Sequence, residues 1–399
     1  MSELKIARID VFQVDLPYSG GVYHLSGGRS YKNFDGTIVR ITTQSGIEGF
    51  GESTPFGATF IASHALGVRA GIAEIAPHLI GLDPRDVDRI NDAMDAALIG
   101  HLHAKTAIDV ACWDIFGKSV GLPVYQLLGG STGIKLPLLT SLPVADPENT
   151  RGLVAEARRA GYTGFSVKIG ENPVSDAARV VAALSEKKED EFYSIDANSS
   201  MTVESTLRML RLLPDGLHFI LEAPCATHRD TVSLRRRTNV PILTDELLTD
   251  EHSAIQLVAD DAAEGLNLKI SKVGGLTRAR RIRDIAVAAG YTIVTQETCG
   301  SDIAFAAIVH LAQTIPERNL RPILECRAMH IPKTADGDYE VHGGYVRAPN
   351  APGLGITPRL DVLGEAVASY LRLILPHDLR LCGASRLIRL VSGLAEVEI

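Results

Sequence analysis

The 399-residue sequence contains no Cys-x-x-Cys pair, no phosphate-loop signature and no apolar run long enough to span a membrane. Its five cysteines, Cys112, Cys225, Cys299, Cys326 and Cys382, are odd in number and scattered. That usage fits reduced thiols in a cytoplasmic protein better than a disulfide framework or a zinc site. There is no excess of basic residues: the net charge is −8 and the pI about 5.9, which argues against nucleic-acid or anionic-membrane partners. The N-terminus lacks the pattern of a signal peptide. Apolar and charged fractions are ordinary for a globular protein, and the length suits about two domains. These absences leave a cytoplasmic enzyme acting on a small molecule as the expectation.

Three carboxylates then stand out, each closing a short apolar run. Phe192-Tyr-Ser-Ile ends on Asp196, His218-Phe-Ile-Leu on Glu222, and Pro241-Ile-Leu-Thr on Asp245 followed by Glu246. The acids are 26 and 23 residues apart, the length of one strand, one helix and two loops. On neighbouring parallel strands they would converge on one volume and repel unless a cation neutralised them. Hard oxygen donors favour Mg²⁺, Mn²⁺ or Ca²⁺ over zinc.

Earlier in the chain, residues 1–60 read as an antiparallel sheet. Ile6 to Leu16 alternates, and Gly36–Thr43 with Gln44-Ser-Gly-Ile-Glu-Gly forms a hairpin. Between them, Tyr18–Gly28 is a glycine-rich loop that does not join a strand to a helix, so it is a surface loop or an active-site lid. From Ile61 to Gly130 the period is helical. Ala107, Ile108, Ala111, Ile115 and Phe116 mark one apolar face over Ala104–Val120. The domain boundary is placed near Gly130. Eight strands follow, at Leu136–Leu142, Gly164–Ile169, Phe192–Ala197, His218–Ala223, Pro241–Asp245, Gly265–Ser271, Tyr291–Glu297 and Arg321–Cys326. Helices fall between them, including Asn149–Ala160, Thr202–Leu213, Thr277–Ala289 and Ile303–Gln313. This alternation predicts an α/β fold with a closed parallel barrel, whose chemistry sits at the C-terminal strand ends. An open doubly wound sheet is the alternative, but no G-x-G-x-x-G follows a first strand. Beyond Thr357 a strand or loop is expected to return to the N-terminal domain. The tail from Leu371 to Ile399 is open between an edge helix, an oligomer contact and a poorly ordered segment.

Two lysines complete the constellation. Lys168 ends the second barrel strand and Lys269 the sixth, on opposite sides of the barrel mouth, with the acids between them. Two amines facing each other across a metal-bound carboxylate suit removal of a proton from one face of carbon and its return to the other. An ordinary lysine, with a pKa of about 10.4, is a poor base at neutral pH. Burial, a nearby cation and a second ammonium would lower it toward about 7–8. Lys272, just beyond the strand, is expected to pack behind the site or pair with a metal-side acid.

With these residues placed, the chain resembles the enolase superfamily, in its muconate lactonising enzyme subgroup. The resemblance spans about residues 4–370. It rests on Ala104-Lys-Thr-Ala-Ile-Asp109-Val-Ala-Cys-Trp-Asp114, Asp196-Ala-Asn198, Glu222-Ala-Pro, Thr244-Asp245-Glu246 and Lys269-Ile-Ser-Lys272-Val-Gly-Gly275. It implies a modified (β/α)7β barrel over residues 131–357, an α+β capping domain over 1–130, and a segment over 358–399 returning to the cap. It implies Asp196, Glu222 and Asp245 as Mg²⁺ ligands, with Mn²⁺ as a substitute. Lys168 and Lys269 become the acid/base pair, with Asn198 and Glu246 supporting the ligands. Loops near residues 18–28 and 52–60 would close over the substrate, bringing Tyr23 and Phe60 to it. A homo-oligomer, an octamer or a smaller even assembly, is implied as well.

Two departures narrow the class. Ser166 stands where the subgroup often carries a first lysine, and strand seven ends Gln296-Glu297-Thr-Cys299 without a histidine, unlike a mandelate racemase-type site. The stretches 71–128 and 269–302 look closest to cis-3-hydroxy-L-proline dehydratases and hydroxyproline betaine epimerases. Those tend to carry tryptophan where Cys299 stands here, an aromatic suited to caging a cationic nitrogen. Glu297, Cys299 and Glu325, the last in Glu325-Cys-Arg327, are further candidates for substrate contact. The expected function is Mg²⁺-dependent removal of the α-proton of a small, proline-like carboxylate, ending in racemisation, epimerisation or dehydration. A muconate-type cycloisomerase is the alternative enzyme. A silent metal-stabilised binding scaffold is the alternative of another class, disfavoured because all five site residues are present.

Overall fold

The computed structural model describes residues 4–337, 339, 341–372, 387–391 and 394–397. Strands β1 (Ile6–Pro17), β4 (Asn33–Thr43) and β5 (Glu48–Ser53) form an antiparallel meander, with a small hairpin of β2 (Tyr23–Leu25) and β3 (Arg29–Tyr31) in the first connection. The Gln44–Gly46 turn closes the β4–β5 hairpin, as the sequence predicts. Ala368–Arg372 returns to pair antiparallel with β1, and Leu387–Val391 and Leu394–Val397 extend that edge. The described part of the tail is therefore strand rather than helix. Cys382 lies outside the described residues. The other four cysteines are buried free thiols.

Three helices cover this sheet: α1 (Ala65–Leu79), α2 (Val87–Ala97) and α3 (Leu102–Val120). The single apolar face expected for Ala104–Val120 is a correction, because α3 is buried nearly all round. One side packs on β5 so closely that a Cβ on Gly51 would lie 2.0 Å from the carbonyl oxygen of Ala107. The other side presents polar groups to the barrel. Asp109 accepts bonds from the Thr277 amide (3.0 Å) and hydroxyl (2.6 Å), Trp113 Nε1 donates to Thr277 Oγ1, and the Thr106 hydroxyl lies 3.0 Å from the Ser271 carbonyl. Gly275, at φ +109, is required at this junction: a Cβ there would come within 2.4 Å of the Asp109 carboxylate. Side-chain polarity on a helix reads as exposure from sequence, whereas here it is spent on a second domain.

The parallel sheet runs in order through β6 (Leu136–Leu142), β7 (Gly164–Lys168), β8 (Phe192–Asp196), β9 (Ile220–Glu222), β10 (Ile242–Thr244), β11 (Gly265–Lys269) and β12 (Thr292–Gln296). The last strand, β13 (Ile323–Leu324), pairs with β6, and the Ile293–Leu320 bridge links it toward β12 to nearly close the barrel. All eight expected strands are present, but several are shorter. Asp245 lies one residue beyond β10, and β11 stops at Lys269, where a short helix, Ile270–Val273, begins. The four expected helices occur as Pro147–Arg159, Val203–Arg211, Leu276–Ala288 and Asp302–Ala312. Asp146 caps the first and Thr202 the second, each accepting from a first-turn amide. Among the described residues no helix is long and apolar enough to cross a membrane.

His310, buried on Asp302–Ala312, clasps this barrel to the linker: its Nδ1 accepts from the Tyr125 amide at 3.2 Å and its Nε2 donates to the Leu354 carbonyl at 3.0 Å. Burial pushes its pKa down to about 4. The unfolded chain, with a histidine pKa of about 6.5, binds that proton more tightly. The neutral ring's contribution is therefore full above pH 6.5 and is lost as pH falls toward 4, at up to about 1.4 kcal/mol per pH unit. Urea unfolding of wild type and His310→Gln between pH 7 and 4.5 should show a shallower decline in the variant; equal slopes would contradict it.

Candidate active site

Strand register brings the predicted residues together. Lys168 lies opposite Asp196 on β7 and β8, and Asp196 opposite Glu222 on β8 and β9. Asp245 follows one residue beyond the next strand, and Lys269 ends the one after. All five side chains are buried. Lys168 Nζ donates to Asp196 Oδ2, and Lys269 Nζ donates to Asp245 Oδ2. Lys272 Nζ donates to Asp245 Oδ1 (2.6 Å) and to its main-chain oxygen. Glu222 accepts from Ser194 Oγ and from Asn267 Nδ2 at 2.5 Å. Asn198 gives its amide N–H to Asp196 Oδ1 (2.8 Å) and its Nδ2 to Asp196 Oδ2 (3.0 Å) and Glu246 Oε1 (3.2 Å). The supporting positions of Asn198, Glu246 and Lys272 are thus in place around the acids. Ser166 Oγ lies 3.4 Å from Lys168 Nζ.

Burial acts to lower both lysine pKa values, but the carboxylates outweigh it, Asp196 foremost for Lys168 and Asp245 for Lys269, and both amines are held above their ordinary range. The downward shift expected from the sequence is conditional on a cation among the acids; the pairs seen here are Lys168 with Asp196, and Lys269 and Lys272 with Asp245. Asp245 shows the other half of the exchange, since Lys269 and Lys272 overcome burial and hold it below the usual carboxylate range. Glu222 has no such direct partner. Burial and then Asp196 push it up, as burial, Asp245 and Asp196 do for Glu246.

Among the described residues no three acidic, histidine or cysteine groups stand together as a ready metal cage. The donor chemistry nonetheless fits a hard divalent cation. Three buried carboxylates end adjacent strands, one of them lacks a cationic partner, and the Asn198 and Asn267 side-chain oxygens beside them are buried without hydrogen bonds.

The remaining candidates separate. The Tyr23 hydroxyl, 2.7 Å from Ser141 Oγ, sits within the electrostatic reach of Lys168, Asp196 and Lys269, and its ring meets Phe56 edge-on. Lys269 Nζ lies 5.2 Å from the centre of the Phe60 ring. Glu297 faces Ser271 instead, accepting from its amide at 3.1 Å, and burial pushes its carboxyl up to about 8. Cys299 is packed in the core, bridging Thr54. Glu325 is buried and pairs with Arg327 through two bonds of 2.7 and 2.6 Å, while that guanidinium stacks 4.0 Å over Phe305. The pair neutralises itself.

Sequence reasoning missed two residues that fix the cap to the site. Glu52 accepts from the Ser301 and Ala304 amides at 2.8 and 3.0 Å, anchoring the start of the 52–60 loop at a helix N-terminus. Arg29 donates to the carbonyls of Ser26 (2.9 Å) and Asn198 (3.0 Å) and lies 5.5 Å over Phe60, tying the glycine-rich loop to the loop that carries the acids' partner. Neither belongs to a strand-end motif. The only sequence signal was a charged residue at the edge of each proposed lid, Glu52 at the start of one and Arg29 directly after the other.

The barrel with its acid-and-lysine mouth and its α+β cap is the architecture of the enolase superfamily, and direct comparison agrees. The enolase C-terminal domain-like family model matches residues 150–362, and the mandelate racemase/muconate lactonizing enzyme N-terminal domain model matches 27–129. A cis-3-hydroxy-L-proline dehydratase of Roseibium aggregatum is 40% identical over 92% of this chain and 100% of its own. An N-succinyl-L-Arg/Lys racemase of Bacillus cereus is 30% identical over 91% and 98%. Among solved structures, an Aspergillus oryzae protein classed with the mandelate racemases/muconate lactonizing enzymes is 67% identical, with a TM-score of 0.88 over 92% of this chain and 99% of its own. A Roseovarius nubinhibens protein of the same class, complexed with magnesium, is 47% identical, with a TM-score of 0.90 over 92% and 100%. The chain belongs to the mandelate racemase/muconate lactonizing enzyme family of the enolase superfamily, and it is an enzyme.

Arg29→Ala removes the tie between the glycine-rich loop and Asn198. Amide exchange over residues 19–31 should accelerate about tenfold or more, the equivalent of about 1.4 kcal/mol, while the barrel strands keep wild-type protection. Unchanged exchange in that loop would show that Arg29 does not hold it.

Proposed function

We propose that the enzyme removes the α-proton of a small, proline-like amino-acid carboxylate in a Mg²⁺-dependent reaction. The observation that carries this reading is the arrangement of Lys168 and Lys269, two buried amines on strands separated by three carboxylate-bearing strands. Asp196, Glu222 and Asp245 would hold the ion, aided by Asn198 and Glu246. A bound Mg²⁺ would neutralise the acids and stabilise the enediolate charge that develops on the substrate carboxylate.

This chain's own residues do the rest. A cation held by the acids would relieve the carboxylate attraction that raises the Lys168 and Lys269 pKa values, leaving burial and like charge to bring them toward the useful range. One lysine takes the proton from one face of the α-carbon, and the other returns it to the opposite face or assists departure of a β-hydroxyl. Lys272 holds the Asp245 carboxylate and carbonyl in place. Tyr23 and the cap loops exclude water.

Dehydration has specific support in the similarity to the Roseibium aggregatum dehydratase, which spans the whole of that protein. The Bacillus cereus racemase supports proton return instead. An even homo-oligomer remains part of the proposal on the family resemblance.

Stereospecific α-hydrogen exchange in D₂O, read by proton NMR, tests the lysine pair. Lys168→Ala should stop exchange for one enantiomer and Lys269→Ala for the other. A racemase loses net turnover in both variants; a dehydratase retains exchange without product in one. Wild-type exchange of both enantiomers in both variants would remove the lysines from the mechanism. Independently, Asp196→Asn, Glu222→Gln and Asp245→Asn should each abolish activity and weaken Mg²⁺ binding with the barrel folded, while Glu246→Gln is milder. Full activity of any one of the three ligand variants in chelator-treated buffer would sink the metal assignment.

A further inference from the structure

The two lysine-bearing strands end differently. After Lys168 the chain stays in the sheet for one more residue, the Ile169 amide donating to the Asp196 carbonyl at 2.9 Å. After Lys269 it turns at once into the short helix Ile270–Val273, and no side chain at the start of that turn caps it. Ser271 is gripped from two sides instead. From the barrel, Glu297 accepts from its amide at 3.1 Å and bonds its hydroxyl. From the cap, Thr106 Oγ1 lies 3.0 Å from its carbonyl oxygen and 3.4 Å from that of Ile270. Glu297 directly follows Gln296, the residue of β12 that stands opposite Lys269 in the sheet.

A buried carboxyl without a lysine or arginine pairing to it among the described residues is costly to keep. Burial, then the neighbouring Glu52, pushes the Glu297 pKa up to about 8. At neutral pH it therefore holds Ser271 without adding a negative charge beside the Lys269 turn, where Asp245 already opposes loss of the ammonium proton.

We infer that Glu297 is a positioning residue for Lys269: by holding Ser271, two residues on, it sets where the lysine leaves β11 and how its amine meets one face of the substrate. The inference rests on the proton-abstraction reading above. It makes the two lysines unequal, because Lys168 has the continuing sheet behind it and Lys269 has Glu297. A misplacement of about 1 Å at a reacting group can cost about a hundredfold in rate, so the loss should fall on one face of the α-carbon.

The test measures α-hydrogen exchange of D- and L-proline in D₂O, in the full chain with saturating Mg²⁺. Lys168→Ala and Lys269→Ala assign one enantiomer to each lysine. Glu297→Leu should then lower kcat at the Lys269 face relative to the Lys168 face by about tenfold or more, with little change in KM. Glu297→Gln keeps an acceptor for the Ser271 amide and should hold the ratio near that of wild type. Ser271→Ala removes only the hydroxyl; it should shift the ratio in the same direction by less, and it reads the contact if the leucine variant folds poorly. An unmoved ratio in Glu297→Leu or in Ser271→Ala overturns the assignment, as does a glutamine variant as impaired as the leucine one. Equal loss at both faces overturns it too, since that marks a structural role only. Lysine variants that fail to divide the enantiomers overturn the proton-abstraction reading, and this inference falls with it.

Discussion

Like charges buried on adjacent strands set the terms for this molecule. Parallel register places Asp196 beside Glu222 and Asp245 on the next strand, all out of solvent. Such a group is costly unless cations enter it. Lys168 pairs with Asp196, and Lys269 and Lys272 pair with Asp245. In the proposed reaction a divalent ion held by the acids would take over that neutralising role and free the lysines to act as bases, an exchange of partners.

The cap fixes the geometry behind these acids. Helix α3 is a strut more than a surface helix. Its Thr106 reaches the carbonyl of Ser271, one residue before Lys272, and its Asp109 accepts from the amide and hydroxyl of Thr277 near the start of the next barrel helix. Glu52 does the same for the helix after strand β12. Two buried carboxylates from the cap therefore sit at barrel helix N-termini, where positive partial charge rewards them. The consequence is that the strand end carrying Lys269 is braced from outside the barrel.

Much of this was legible in sequence because the barrel repeats itself. Short apolar runs ending on Asp196, Glu222 and Asp245 announce strands, their polarity at the C-terminal end and their spacing. Glycines at Gln44-Ser-Gly46 announce the hairpin. What stayed hidden depends on contacts between segments distant in the chain. Glu52 ends an ordinary alternating strand, Arg29 follows two glycines, and Asp109 looks like the polar face of an amphipathic helix. None carries a local periodicity that distinguishes burial from exposure. The pairing within the site was hidden for a related reason: the sequence places acids and amines in one volume without saying which oxygen each amine takes.

A crystal structure grown with Mg²⁺ and proline, under conditions where turnover is blocked by Lys269→Met, tests the partner exchange directly. The account predicts one ion within about 2.0–2.1 Å of carboxylate oxygens from Asp196, Glu222 and Asp245, with Lys168 Nζ released from Asp196 and turned toward the α-carbon. An ion bound elsewhere, or an ion at the acids with Lys168 still paired to Asp196, would contradict it.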